Sequence, residues 1–236
     1  MDVVLIHGAY HGAWCWNLVT PELEALGHHV LAVDMPIDDP SAGAAAYAEA
    51  VVRADARTGP RVVVAHSMGG LVAPLVAERR PVARMVFLAA FLPKPGVSAN
   101  EQRAAEPLDP PTPPSSAEWT DLGNDVWRVG PTTASEMFFG DVPDDVRAWA
   151  LARLRPQCYR IFSEPTPLLG WPDVPSDYIV CRHDRAINPA WGRQAAVQRL
   201  GVEPVEIDGG HSPMLTRPAE LARLLNQLIA GETVRG

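Results

Sequence analysis

A serine at position 67 stands where a strand is expected to turn abruptly into a helix. The run Val62–Leu71 begins with β-branched residues and continues through Ser67 into Gly69-Gly70. A serine on such a turn exposes its hydroxyl above the sheet, and small neighbours keep the backbone from clashing. Glycine is usual two positions before the serine, and Ala65 is a small substitute for it. Ser67 could instead cap the helix, but the strand and the glycine pair favour a nucleophile.

A serine hydroxyl needs a base to take its proton, and the base needs a carboxylate to orient it. Such groups follow the last two expected strands: Asp184 comes after one of them, and His211 comes after the other and two glycines. We therefore predict that the serine, Asp184 and His211 form a catalytic triad. His183 is a competing base, but it adjoins Asp184, and adjacent residues of an extended chain point to opposite sides. Asp208 is a competing orienting carboxylate.

Acyl transfer also needs N–H donors that stabilise the developing oxyanion. One donor at a serine turn is the amide of the next residue, here Met68, and the other comes from the loop after the first strand, for which we predict Ala9. Gly8 lets this loop approach the serine closely. An apolar pocket would suit an acyl or aryl group, although each aromatic residue could equally belong to the core. The residues predicted to bind substrate are Gly8, His11, Trp127, Phe138 and Phe139.

Short apolar runs alternate with stretches of helical length along most of the chain. The runs have the composition of buried strands, and they are Val3–Ile6, Val30–Val33, Val62–Ala65, Met85–Leu88, Tyr178–Cys181 and Val205–Ile207. The helical stretches are Ala13–Leu26, Gly43–Ala56, Met68–Arg79, Pro189–Leu200 and Pro218–Ala230. This alternation predicts an α/β fold with a six-stranded, mainly parallel sheet and helices on both faces. Ligands bind at the carboxyl ends of such strands, where the candidate residues lie.

The alternation breaks between residues 91 and 175. Five prolines (Pro107, Pro110, Pro111, Pro113 and Pro114) are incompatible with a helix interior or a central strand. A hairpin is predicted from Glu118–Leu122 and Asp125–Val129, and a helix from Val142–Leu154. We interpret residues 91–175 as a cap inserted into a core of residues 1–90 and 176–236, and expect the cap to select the substrate. A second small structural domain is the alternative.

The composition argues against several classes of protein. The chain has 236 residues, of which 47% are apolar, and 20 basic against 28 acidic residues give a formal charge of −8. Charges of both signs are interspersed, so no basic face is expected to bind nucleic acid. The three cysteines lack the spacing of a disulfide framework or a zinc site, which favours a reducing cytoplasm. No apolar run is long enough for a membrane span, and the first one lacks the cationic segment of a signal peptide.

Four segments resemble one branch of the α/β-hydrolase superfamily, which contains plant methylesterases, hydroxynitrile lyases and bacterial esterase relatives. They are His7–Trp16, Ala65–Gly70, Val180–Asp184 and Gly209–Leu215. The resemblance implies the α/β-hydrolase fold, triad roles for Ser67, Asp184 and His211, and oxyanion roles for Ala9 and Met68. It runs through nearly the whole chain and is weaker in the predicted cap.

Two departures from this branch argue against cyanohydrin cleavage. The lyases have threonine at the position of Gly8 and lysine at the position of Ser212. Without a cation beside His211 nothing would stabilise a cyanide leaving group, whereas Gly8 permits the two-amide oxyanion hole of ester hydrolysis.

We therefore expect an enzyme that hydrolyses a carboxylic ester through an acyl-enzyme, without metal or cofactor. Its substrate would be a small apolar or aromatic ester, such as a methyl ester. The alternatives are a ligand-binding or non-hydrolytic biosynthetic member of the fold and, ranked behind it, a lyase. A homodimer is left open, because exposed aromatic residues could form its interface.

Overall fold

The computed structural model describes residues 1–232, so the last four residues of the core predicted to end at 236 lie outside the described part. Residues 1–232 contain nine strands in two sheets. They are β1 (Asp2–Ile6), β2 (His29–Val33), β3 (Arg61–His66), β4 (Val82–Leu88), β5 (Trp119–Asp121), β6 (Val126–Val129), β7 (Gln157–Cys158), β8 (Ser176–Cys181) and β9 (Val205–Ile207). The helices are α1 (Thr20–Ala25), α2 (Ala44–Ala54), α3 (Ala73–Ala77), α4 (Ala99–Ala105), α5 (Pro131–Phe138), α6 (Asp144–Leu151), α7 (Arg160–Ser163), α8 (Pro189–Ala195), α9 (Pro213–Thr216) and α10 (Pro218–Ile229).

The main sheet has six parallel strands in the order β2-β1-β3-β4-β8-β9. This confirms the predicted parallel sheet, and each predicted strand lies within an observed one. Every residue of β3 is buried, because a central parallel strand is covered on both faces. Its alternate side chains enter different cores: Val63 packs with the apolar cluster on one face and Val64 with the cluster on the other.

Two stretches predicted as single helices are interrupted. Residues 13–26 form a 3₁₀ turn, Ala13–Trp16, followed by α1, and residues 67–77 form a 3₁₀ turn, Ser67–Leu71, followed by α3. Pro21 and Pro74 stand in the first turns of α1 and α3. Proline has no N–H and clashes with the carbonyl four residues earlier, so a helix begins at these positions rather than running through them.

The insertion, residues 91–175, contains α4 to α7 and a small antiparallel sheet in the order β5-β6-β7. The predicted hairpin is present, and Asn124 and Asp125 adopt positive φ angles of 55° and 60° at its turn. Helices α4, α5 and α7 and strand β7 were not predicted. The main sheet is continuous on either side of the insertion, because β4 before it pairs with β8 after it in the register Met85↔Ser176 to Leu88↔Ile179.

A buried glutamine attaches the insertion to the core. The side chain of Gln157 donates a hydrogen bond to the Tyr47 hydroxyl over 3.1 Å and accepts one from the backbone N–H of Tyr10 over 3.4 Å. Next to it, the backbone N–H of Cys158 donates to the carbonyl of Ile37 over 2.6 Å. Strand β7 is therefore fixed to the loops beside β1 and β2 as well as to the hairpin.

No helix within residues 1–232 is both long and apolar enough to cross a lipid bilayer. The same residues contain no cluster of three or more His, Cys, Asp or Glu side chains placed to hold a metal ion. Cys15, Cys158 and Cys181 are buried free thiols.

Candidate active site

Ser67 occupies a strained turn between β3 and the 3₁₀ turn that follows it. Its φ angle is 53°, in the left-handed region that non-glycine residues rarely adopt. Two glycines allow the tight packing around this turn: a Cβ on Gly69 would lie 3.0 Å from the carbonyl oxygen of His7, and one on Gly70 would collide with the carbonyl oxygen of Phe91. The serine is thus held at the carboxyl end of the central strand.

Asp184 and His211, which follow β8 and β9, form a buried hydrogen-bonded pair. Asp184 Oδ2 lies 2.8 Å from His211 Nδ1, and the side chains are 3% and 1% exposed. The other carboxylate oxygen accepts from the backbone N–H groups of Ala186 and Ile187 over 2.7 and 3.0 Å. Because a carboxylate can only accept, Nδ1 carries the proton and Nε2 is left with a free lone pair. Such a histidine can act as a general base.

The two competing residues pair with each other instead. His183 Nε2 lies 3.0 Å from Asp208 Oδ1, and these side chains are 70% and 53% exposed. Asp208 also binds the guanidinium of Arg217. Solvent surrounds this pair, in contrast to the buried pair of Asp184 and His211.

His66 joins the serine turn to His211. Its Nε2–H donates to the backbone carbonyl of His211 over 2.9 Å, and the two rings lie 4.5 Å apart between centroids. Burial lowers the pKa of His66 well below its ordinary value, and the His211 ring lowers it further, so the side chain is neutral at pH 7. The residue next to the candidate nucleophile therefore contacts the backbone of the candidate base directly.

His7 and His11 hold the loop after β1. His7 Nδ1 donates to the carbonyl of Gly8 over 2.8 Å, and His11 Nδ1 donates to that of Ala9 over 2.7 Å. Burial lowers the pKa of His7 to about 4 and that of His11 to about 3, so both rings are neutral at pH 7. They act as fixed hydrogen-bond donors to this loop.

The loop after β1 meets the serine turn closely enough to supply an oxyanion donor. A Cβ on Gly8 would lie 2.8 Å from Ser67 Cβ and 3.0 Å from His66 Nδ1, so only glycine fits there without displacing the loop. Ala9 and Met68 line the same cavity as Ser67. In the part of the chain that the structure describes, the Ala9 amide makes none of the backbone hydrogen bonds of the loops and turns. Met68 lies in the first turn of its 3₁₀ segment, where amides lack partners within the helix.

Ser67 opens into a cavity of about 340 Å³ between the main sheet and the insertion. Most of its walls are apolar or aromatic, and the insertion supplies the larger part of them. Besides Ala9, Ser67 and Met68, the lining residues are Tyr10, Phe91, Arg103, Asp109, Pro113, Pro114, Ala117, Trp119, Met137, Phe138, Tyr159, Phe162, Ala186 and Ile187.

The chain matches a known family over most of its length. Residues 3–224 fit the model described as the alpha/beta hydrolase family. The chain belongs to that family. The six-stranded parallel sheet with its flanking helices is accordingly the α/β-hydrolase fold that the sequence predicted.

Relatives of this alpha/beta hydrolase are similar over nearly their whole length. Methylesterase 3 from Arabidopsis thaliana is 30% identical over 256 residues, 96% of this chain and 95% of the relative. Norfluorocurarine synthase 2 from Strychnos sp is 27% identical over 252 residues, 95% of this chain and 94% of the relative. A solved pyrethroid hydrolase from Sphingobium faniae JZ-2 is 24% identical, with a TM-score of 0.80 over 98% of this chain and 97% of that one. The predicted resemblance to the methylesterase branch is confirmed, and two of these names agree with the predicted enzyme class, carboxylic ester hydrolase.

Of the five residues predicted to bind substrate in this hydrolase, only Phe138 lies on the cavity wall. Gly8 packs against the serine turn. His11 and Phe139 are buried behind the wall, 5.6 Å apart between ring centroids. Trp127 packs against Tyr159, 6.1 Å away between centroids, and Tyr159 rather than Trp127 faces the cavity.

Several wall residues were not predicted, notably Tyr10, Phe91, Arg103 and Tyr159. Tyr10 directly follows Ala9, and its hydroxyl lies 3.0 Å from that of Tyr159. The position of Tyr10 next to the predicted oxyanion loop was a usable sequence signal. Phe91, Arg103 and Tyr159 lie in the insertion, where no periodic pattern indicates which side chains point inward.

Proposed function

We propose that this protein is a serine hydrolase that cleaves a carboxylic ester through an acyl-enzyme. The observation that carries the proposal is the buried pair of Asp184 and His211, 2.8 Å apart, together with the link from His211 to the strained turn that bears Ser67. This is the set of groups and the chain order that a serine nucleophile, its base and its orienting carboxylate require.

The proposed reaction has two halves. Ser67 Oγ attacks the ester carbonyl carbon while His211 Nε2 takes the hydroxyl proton, and Asp184 stabilises the imidazolium that forms. The amides of Ala9 and Met68 donate to the oxyanion of the tetrahedral intermediate. Its collapse expels the alcohol, which takes the proton from His211. Water, activated by the same histidine, then hydrolyses the acyl-enzyme and releases the acid.

We further propose that the insertion acts as a cap that limits the substrate to a small apolar or aromatic ester. The apolar walls and the volume of about 340 Å³ support this size and character. The similarity to Methylesterase 3 supports a methyl ester as the substrate, with methanol as the alcohol that leaves. Methoxy is the smallest alkoxy group, so a methyl ester leaves most of the cavity volume for the acyl group.

The test is the initial rate of hydrolysis of p-nitrophenyl acetate, butyrate and octanoate at neutral pH. Ser67→Ala is expected to lower kcat by about 10³-fold or more, because the nucleophile is lost. The exposed serine of α7 supplies the matched control, and Ser163→Ala is expected to retain the wild-type rate. Equal activity of the wild type and Ser67→Ala on every ester would overturn the proposal.

A second candidate is a non-hydrolytic biosynthetic role, which the similarity to Norfluorocurarine synthase 2 favours. If wild-type protein hydrolyses no ester, candidate metabolites should be titrated calorimetrically into Ser67→Ala. Binding without turnover would support this role, and absence of binding would count against it.

A further inference from the structure

One ion pair interrupts the apolar wall of the cavity that contains Ser67. Arg103, in the last turn of α4, and Asp109, in the proline-rich stretch, are the only charged residues among the described residues that line it. A charged pair in a mainly apolar wall is unusual, and both of its side chains keep part of their hydration because they are partly exposed.

The pairing leaves part of the arginine unsatisfied. Arg103 Nε lies 2.9 Å from Asp109 Oδ1, yet the Nε–H is not aligned with that oxygen, and Nε is buried without a hydrogen-bond partner. The Asp109 side chain is 61% exposed and that of Arg103 36%. Water therefore competes for the carboxylate, and the exposed pair contributes little stability. A buried donor without an acceptor is costly until a ligand supplies one.

The guanidinium lies close to the elements that hold the nucleophile. Its central carbon stands 5.5 Å from the centroid of the Phe91 ring, and the backbone N–H of Phe91 donates to the carbonyl of Ser67 over 3.0 Å. Burial raises the pKa of Tyr10, and the charge of Arg103 opposes that rise, so its field reaches the residue next to Ala9. One residue thus separates the guanidinium from the serine turn.

We propose that Arg103 forms an anion subsite of the active-site cavity and binds a free carboxylate at the end of the substrate remote from the scissile ester. This inference rests on the proposed ester hydrolysis and changes the proposed acyl group: its far end carries a carboxylate, as in the monoesters of dicarboxylic acids. The planar guanidinium offers donors in a fork that matches the two oxygens of a carboxylate. Asp109 neutralises the guanidinium before substrate binds, and the substrate carboxylate can replace it because Asp109 is largely exposed to competing water.

The experiment compares kcat/KM for monomethyl glutarate, adipate and pimelate with that for methyl pentanoate, hexanoate and heptanoate, followed by methanol release. The quantity measured is the ratio of the acidic to the neutral ester of equal chain length. Arg103→Met is expected to lower this ratio by about 10- to 100-fold, the effect of removing a charge-assisted hydrogen bond. Arg128→Met is the matched control, because this arginine of β6 is exposed and does not line the cavity.

Asp109→Asn tests whether Arg103 and Asp109 form an anion subsite or only an ion pair that joins α4 to the proline-rich residues 107–114. It removes the competing carboxylate but keeps the side-chain shape, so the ratio is expected to rise by about 3- to 10-fold. Opposite effects of Arg103→Met and Asp109→Asn on the ratio support the subsite. If both variants change the rates of acidic and neutral esters in parallel, the ion pair has only a structural role and the inference fails.

Failure of the proposed function gives a different result. In that case wild-type protein hydrolyses none of the esters, and the same monomethyl esters are titrated calorimetrically into wild type and Arg103→Met. Binding that Arg103→Met abolishes would support the subsite without hydrolysis, and no binding to the wild type would overturn it.

Discussion

Both oxygens of the Asp184 carboxylate accept hydrogen bonds. Oδ2 accepts from the His211 ring, and Oδ1 accepts from the backbone N–H groups of Ala186 and Ile187. The two amides come from the residues that follow the carboxylate in the chain, so its orientation is fixed locally by the loop after β8. The imidazole is in turn oriented by a carboxylate that has no freedom to rotate.

This geometry makes Asp184→Asn a test of orientation rather than of folding. The amide oxygen of the new side chain can still accept from Ala186 and Ile187, but its NH₂ group then faces His211 Nδ1. The ring would have to carry its proton on Nε2 and could no longer act as a base. We expect kcat for p-nitrophenyl butyrate to fall by about 10⁴-fold, with an unfolding midpoint close to that of the wild type. A loss of less than tenfold would show that Asp184 does not orient the base.

At this scale the sequence indicated the side chains of the proposed triad but not their surroundings. A strand followed by a small-residue turn marked Ser67, and strand ends marked Asp184 and His211. Spacing alone did not separate these residues from their competitors, because His183 also follows β8 and Asp208 also follows β9. The structure shows His183 and Asp208 as an exposed pair. The cavity walls escaped prediction, because whether Phe139 or Tyr159 faces the cavity depends on the fold of the insertion.

Among the elements, the contact between the loop after β1 and the turn after β3 determines the geometry of the proposed oxyanion site. Gly8→Ala would place a methyl group 2.8 Å from Ser67 Cβ, which is closer than van der Waals contact allows. The loop must then move and carry the Ala9 amide with it. We expect kcat to fall by about 10²- to 10³-fold, the effect of losing one oxyanion donor.

The matched control is Gly170→Ala. Nothing lies within 4 Å of a Cβ built at that position, so this variant should keep the wild-type kcat. The comparison is made on the same p-nitrophenyl esters, and circular dichroism checks that both variants are folded. Equal kcat values for Gly8→Ala and Gly170→Ala would show that the loop does not shape the oxyanion site.

Strands were easier to predict than helices in this chain. A buried parallel strand gives a continuous apolar run, and all six runs correspond to strands of the main sheet. Pro21 and Pro74 begin α1 and α3, but the prediction placed them inside longer helices. It therefore joined each 3₁₀ turn to the α-helix that follows it. In the insertion, only the hairpin and α6 gave recognisable signals, because short elements contain too few turns to establish a period.

For the whole molecule, the buried histidines predict an acid-sensitive fold. The pKa values of His7 and His11 are lowered to about 4 and about 3, and that of His66 is also lowered, all chiefly by burial. In the unfolded chain these side chains return to a pKa near 6.5. The unfolded state therefore binds more protons below pH 6.5, and the stabilising contribution that is complete above that pH is lost as the pH falls toward 4.

We expect the free energy of unfolding to decrease by a few kcal/mol between pH 7.5 and pH 5.5, on the order of 1 kcal/mol from each of His7 and His11 and a further decrease from His66. Urea unfolding at the two pH values measures this difference. His11→Asn should remove about one-third of it, whereas His29→Asn, at an exposed position, should leave it unchanged. An identical pH dependence in the two variants would contradict this explanation.

The chain between β4 and β8 separates the residues of the proposed triad. Ser67 precedes β4, whereas Asp184 and His211 follow β8, and Leu169, 94% exposed, lies in the connection between these strands. A protease that cut beside Leu169 would produce two fragments, neither of which contains all three residues. Ester hydrolysis regained on mixing such fragments would therefore report their reassociation, which makes this hydrolase a natural scaffold for a split reporter of protein proximity.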